Sequence, residues 1–235
     1  MADMAVHAVH GEHPPGFAHQ FEDMDQQHDA GNLGMWLFLA TEIMFFGGLF
    51  MSYIVYRTKF PDAFADGSRL LNVKFGAVNT GVLIASSLTM AMAIHSAQVG
   101  KKKPQVWYLI FTMILGALFL FLKFNFEWRA DYHEHLIPGF GFMVRPEWGP
   151  GGVHVQMFFL FYFFMTGLHA LHMIVGIGIL TVLTVMAARG RFYEQYYAPL
   201  ESSGLYWHFV DIIWIFLFPL LYLAGGRYPI PGVTH

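Results

Sequence analysis

Residues 34–50 read GMWLFLATEIMFFGGLF, an apolar run with a single ionisable side chain, Glu42, in its middle. The run is too long for a buried strand and shows no alternation at period two. Extended to about residues 33–56, it supplies the roughly 20 apolar residues that cross a ~30 Å hydrocarbon layer as a helix. Four further segments pass the same test, at about 73–97, 105–127, 154–188 and 205–224. Backbone groups in hydrocarbon must pair within the segment, and helices do this. The fold class expected is all-α, a polytopic integral membrane bundle of five transmembrane helices. The fourth segment would extend about 52 Å as straight helix, so tilt or protrusion into water is expected there.

The whole chain agrees with that reading. Of its 235 residues 56% are apolar and only 12% charged, and Phe alone occurs 25 times. Soluble domains carry about 25% charged residues. Thirteen Lys and Arg against sixteen Asp and Glu leave no basic excess for nucleic acid. The absence of Cys removes thiolate metal sites, disulfides and thiol catalysis. No phosphate-binding glycine loop, Ser/His/Asp order or ATP motif is present in the loops.

Residues 1–32 form a polar tail containing His7, His10, His13, His19 and His28 and no Lys or Arg. It lacks the basic and apolar blocks of a signal peptide. A solvated tail is expected, its second half lying along the membrane surface. The densest basic cluster, Lys101–Lys103, falls in a short loop, which favours a cytoplasmic position for that loop.

Polar residues inside the spans are the candidate site residues. Glu42 lies about 15 Å along the first span by helical rise. An ionised carboxylate there costs several kcal/mol unless paired or wet, so a neutral Glu facing the bundle is expected. Two roles stay open: a proton-active carboxyl, or a protonated Glu bonded to a neighbouring helix. In the second span Ala77, Gly81, Ala85, Thr89 and Ala93 recur every fourth residue and are expected to form a helix-packing stripe. Asn79 and Ser86 add possible interhelical hydrogen bonds.

TGLHALHMIVG, residues 166–176, places His169 and His172 three apart on one helix. Residues so placed cannot ligate a haem from both sides, and no Glu-x-x-His pair accompanies Glu42. His133-Glu134-His135 lacks zincin spacing. No metal site is expected; hydrogen-bonding or lipid-contact histidines are. YWHFVDIIWIFLF, residues 206–218, places His208 and Asp211 three apart, close enough to pair, with Asp211 in the first turns of its helix. The loops at 57–72 and 128–153 are read as short connections, the second as a packed cap.

Together these three blocks, in this order and with these separations, resemble subunit III of haem-copper respiratory oxidases, in a five-helix bacterial form that lacks the first two of seven spans. The resemblance implies an accessory, non-redox subunit beside catalytic subunit I, with subunit II and other oxidase subunits in the complex and a respiratory supercomplex as a further association. It implies no cofactor in this chain, haem and copper in the partner subunits, and bound phospholipid. It also implies support of proton uptake and of the durability of subunit I during oxygen reduction and proton pumping. Matched to the family motif, Glu42 looks like the buried carbodiimide-reactive carboxyl, and His169, His172, His208 and Asp211 match the other two blocks. Arg189 or Arg191 is similar to the family's lipid-phosphate arginine. The bacterial cytoplasmic (inner) membrane, with a cytoplasmic N-terminus, is the implied location. A subunit-III-like protein of a nitric oxide reductase or quinol oxidase shares this fold, and an independent transporter is a further alternative. Against a transporter stand the missing inverted repeats and half-helices.

Overall fold

The structure, a computed structural model, describes residues 24–139, 141–190, 198–223 and 225. Its helices are α1 (Met24–Lys59), α2 (Pro61–Leu70), α3 (Val73–Gln98), α4 (Lys102–Leu122), α5 (Arg129–His133), α6 (Gly152–Ala188) and α7 (Ala198–Tyr222). A π-helical segment, Lys123–Trp128, carries α4 into α5 without a break in direction of the chain. Five of these runs are long and apolar enough to cross a membrane.

The elements start and stop for local reasons. Asn72 caps α3, its Oδ1 accepting from the amides of Lys74 and Phe75 at 3.1 and 3.4 Å. Gly100, at φ +67, ends α3. Its amide donates to the Ala97 carbonyl, and the Lys101 amide donates to that of Ser96. This left-handed closure needs a residue without Cβ and turns the chain directly into α4. Pro61 opens α2, where its missing N–H costs nothing.

α3 and α4 form the most extensive helix pair. α7 packs between α3, α6 and α1, and α6 packs on α4. Trp207 of α7 is the central wedge. Its ring lies where a Cβ on Gly116 of α4 or Gly176 of α6 would sit, at 2.8 and 3.0 Å, and its Nε1 donates to Ser86 Oγ of α3 at 3.0 Å. One side chain thereby joins four helices. α1 is the outlying helix; Tyr53, fully buried, ties it to α7 by donating to the Leu220 carbonyl at 2.9 Å.

Two expectations are corrected. Residues 24–32 of the expected tail are helical and continue into the first span as α1, while residues 1–23, with four of the five histidines, lie outside the described residues. The first connection contains α2, which buries Ala63, Phe64, Gly67 and Ser68 against the bundle. The every-fourth-residue stripe is not a packing face within this chain. Ala77, Gly81 and Ala85 are exposed, Thr89 is half-buried and only Ala93 is buried. Residues four apart drift by about 40° per step, so the stripe winds from the outer to the inner side of α3. The inner face is Gly76, Asn79, Leu83, Ser86, Met90, Ala93 and Ala97.

Candidate functional site

Glu42 sits in the middle of α1 and meets His172 of α6, Oε2 to Nε2, at 3.2 Å. Both side chains are nearly one-fifth exposed. His172 is held from three sides. Its Nδ1 donates to the Leu168 carbonyl at 2.8 Å, Phe46 presents an edge at 5.3 Å, and Tyr206 of α7 donates to the His172 carbonyl at 3.0 Å. With Nδ1 committed as a donor, a neutral imidazole leaves Nε2 as an acceptor. The bond to Glu42 then requires either a protonated Glu42 or an imidazolium facing a carboxylate, and both forms are neutral as a pair. An apolar groove of about 300 Å³ opens here, with Met35 and Phe38 of α1, Val175 and Ile179 of α6, and Ser203 around the pair.

His169 points elsewhere. It is buried against Phe119 of α4 and Trp214 of α7, and neither ring nitrogen has a partner among the described residues. The two histidines therefore serve different surroundings, although they are three residues apart. Among the described residues no group of three or more His, Cys, Asp or Glu is placed to hold a metal ion.

The expected His208–Asp211 pair is not formed. His208 Nδ1 instead lies 2.6 Å from Ser87 Oγ of α3. Asp211 is 3% exposed and neither of its oxygens has a partner among the described residues. The dipole reading also falls, since α7 begins at Ala198 and Asp211 lies in its middle. Ser86 makes the interhelical contacts expected of it, reaching the Thr112 carbonyl at 3.3 Å, whereas Asn79 is buried without a partner among the described residues. Arg189 is exposed at the end of α6. Arg191 lies outside the described residues.

One polar cluster was not anticipated. Lys123, in the π-helical segment, is 1% exposed and reaches Glu127 and the Tyr222 hydroxyl at 2.5 Å each, and the Tyr162 hydroxyl at 3.0 Å. Both tyrosines also donate to Glu127 Oε2. The ammonium is ringed by Tyr162, Trp214 and Tyr222 at 4.7 to 5.2 Å from their centroids. The signal was in the sequence: opposite charges four apart at the end of an apolar span can pair on one helix face. What the sequence did not show was that this face turns inward: Lys123 and Glu127 continue the buried face of α4, four and eight residues on from Phe119.

The profile of the family described as cytochrome c oxidase subunit III matches residues 22–226. Cytochrome bo(3) ubiquinol oxidase subunit 3 of Pseudomonas aeruginosa is 31% identical over 212 residues, covering 87% of this chain and 91% of that protein. Quinol oxidase subunit 3 of Bacillus subtilis is 29% identical, covering 86% and 92%. Cytochrome c oxidase subunit 3 of Oncorhynchus clarkii is 30% identical, covering 82% of this chain and 69% of that protein. The match spans all five long helices, and with them the Glu42–His172 contact and the His208–Asp211 block, so the chain belongs to the cytochrome c oxidase subunit III family.

Proposed function

We propose that this chain is the non-redox subunit III of a respiratory haem-copper oxidase in a bacterial cytoplasmic membrane. It would flank catalytic subunit I, in a complex that also holds subunit II, and support proton uptake and the durability of subunit I. The observation that carries this reading is the family match over residues 22–226 together with what the intramembrane polar groups are engaged in. His172 is committed to Leu168 and Glu42, His208 to Ser87, and Lys123 to Glu127 and two tyrosines. These are side chains that hold helices and protons in place.

The same reading gives the groove at Glu42 to a phospholipid acyl chain. Its α6 wall climbs from Leu171 through Val175 to Ile179, towards exposed Arg189, where a phosphate would lie at the membrane edge. A Cβ on Gly190 would lie 3.1 Å from Lys102 Nζ, so Lys101–Lys103 and Arg189 gather at one end of the bundle. Met35 and Ser203 line the same half of the groove, placing the N-terminal end of α1 there too. By the preference of basic loops for the cytoplasm, that end faces inward. A quinol-oxidising complex is the second reading, favoured by the names of the two bacterial relatives.

The test is purification of a tagged chain in mild detergent, with identification of everything retained. Oxidase subunits I and II at equal stoichiometry, with phospholipid, are expected. Recovery of the chain alone, or with components of an unrelated transporter, contradicts the reading.

A further inference from the structure

The hydrogens of the Lys123 cluster are all assigned, and two of its carboxyl oxygens receive none. Lys123 donates to Glu127 Oε2 and to the Tyr222 hydroxyl at 2.5 Å each, and to the Tyr162 hydroxyl at 3.0 Å. Those three bonds use the three hydrogens of an ammonium. Tyr162 and Tyr222 each direct their one O–H to the same Glu127 oxygen. Glu127 Oε1 is buried and has no partner among the described residues.

A second carboxyl lies alongside. Asp131 of α5 follows Glu127 by four residues, is 8% exposed and has the Tyr162 hydroxyl as a hydrogen-bonding neighbour. Its Oδ2 is likewise buried without a partner among the described residues. From α6 Tyr162 and His169 face the cluster, from α7 Tyr222, and from the following loop Glu134, which Arg145 pairs at 2.7 Å. None of these brings Asp131 a cation of its own. One ammonium thus serves two carboxyl groups. With both ionised, a negative charge would be left over among buried rings, which is strongly unfavourable.

We infer that Lys123, Glu127, Asp131 and Tyr162 form a proton-binding site, occupied at neutral pH by one proton on Asp131. The proton makes the cluster neutral and turns Asp131 into a donor. Its O–H is directed to the Tyr162 oxygen, and the Tyr162 O–H to Glu127. Glu127 is the carboxylate of the pair, since Lys123 and both tyrosines converge on its Oε2. Asp131 is also the member placed to exchange the proton. It lies two residues from the end of α5, at the end of the bundle opposite Lys101–Lys103. When the proton leaves at alkaline pH, a buried negative charge remains where α4, α6 and α7 meet, so their packing weakens as pH rises. The site is independent of which oxidase the chain serves.

The experiment compares thermal denaturation of the purified complex, from neutral to alkaline pH, for wild type and Asp131→Asn. The amide is neutral and still donates to Tyr162, as the protonated acid does. At neutral pH the melting temperature of Asp131→Asn is expected to match wild type. At alkaline pH it is expected to exceed wild type, because only the acid has a proton to lose there. A melting temperature lowered by the same amount at every pH shows an ionised Asp131 and overturns the proposal. The second measurement leaves Asp131 in place. This chain, carrying aspartate labelled with heavy carbon at the carboxyl, is re-added to unlabelled oxidase that lacks it, and infrared absorption is recorded across the same pH range. A label-sensitive band of a protonated carboxyl, lost reversibly towards alkaline pH, is expected. Should Asp131→Asn fail to accumulate, this spectrum decides: no such band at neutral pH, or a band that persists unchanged to alkaline pH, overturns the proposal.

Discussion

Glu42 of α1 and His172 of α6 are hydrogen-bonded, Oε2 to Nε2 at 3.2 Å, near the middle of the membrane-spanning length. The Leu168 carbonyl takes the Nδ1–H of His172, so Nε2 is the atom left to face Glu42. The contact also fixes the outlying helix α1 to the rest of the bundle at the level where hydrocarbon surrounds it.

The first prediction follows from that contact. Carbodiimides attack protonated carboxyls, and an apolar reagent concentrates in the groove beside Glu42. A hydrophobic carbodiimide is expected to label Glu42 ahead of loop carboxylates such as Glu134, which is paired with Arg145 at 2.7 Å. Peptide mass spectrometry of labelled membranes checks this, and labelling restricted to the loops contradicts it. Glu42→Gln should assemble normally, because its amide can still donate to His172 Nε2.

A second prediction concerns the buried ion pair. Removing one partner of such a pair typically costs about 3–5 kcal/mol, while replacing both with apolar residues is often close to neutral. Lys123→Met is therefore expected to lower the melting temperature and yield of the complex sharply. Lys123→Met combined with Glu127→Leu should recover part of that loss. The check is thermal denaturation of the purified complex for the two single variants and the double. Additive losses would contradict a coupled pair.

The third prediction tests the Trp207 wedge. Gly116→Val or Gly176→Val puts carbon where the indole lies, and overpacking of this kind typically costs about 1–3 kcal/mol. Gly178→Val, on the outer side of α6, adds a Cβ with nothing within 4 Å. Membrane abundance measured by immunoblot should fall for the first two and stay near wild type for Gly178→Val. Equal loss for all three would contradict the wedge.

How much of this was legible in the sequence depends on the scale asked about. The five spans were readable because about 20 apolar residues in a row have few other solutions in water or lipid. Glu42 stood out because a lone acid in such a run is costly. Partners were harder. His172 meets a residue 130 positions away and His208 one 121 positions away, and no local spacing encodes either contact. The His208–Asp211 spacing permitted a pair that Ser87 pre-empted. The α3 stripe misled because a four-residue period is not the helical period, so its members turn from one side of the helix to the other. The Lys123–Glu127 cluster is completed by Tyr162 and Tyr222, 39 and 99 positions from Lys123, which no local spacing announces.

The central claim is that this chain sustains proton delivery and durability in its partner without carrying electrons itself. Oxygen consumption by the oxidase, followed against time at neutral and alkaline pH with and without this subunit, tests it most directly. Without the subunit, turnover should begin near the normal rate at neutral pH and then decay. The rate should fall further at alkaline pH, where a weakened entry site must capture scarcer protons. Re-adding the subunit should restore both. An unchanged pH profile together with an unchanged inactivation rate would contradict the account.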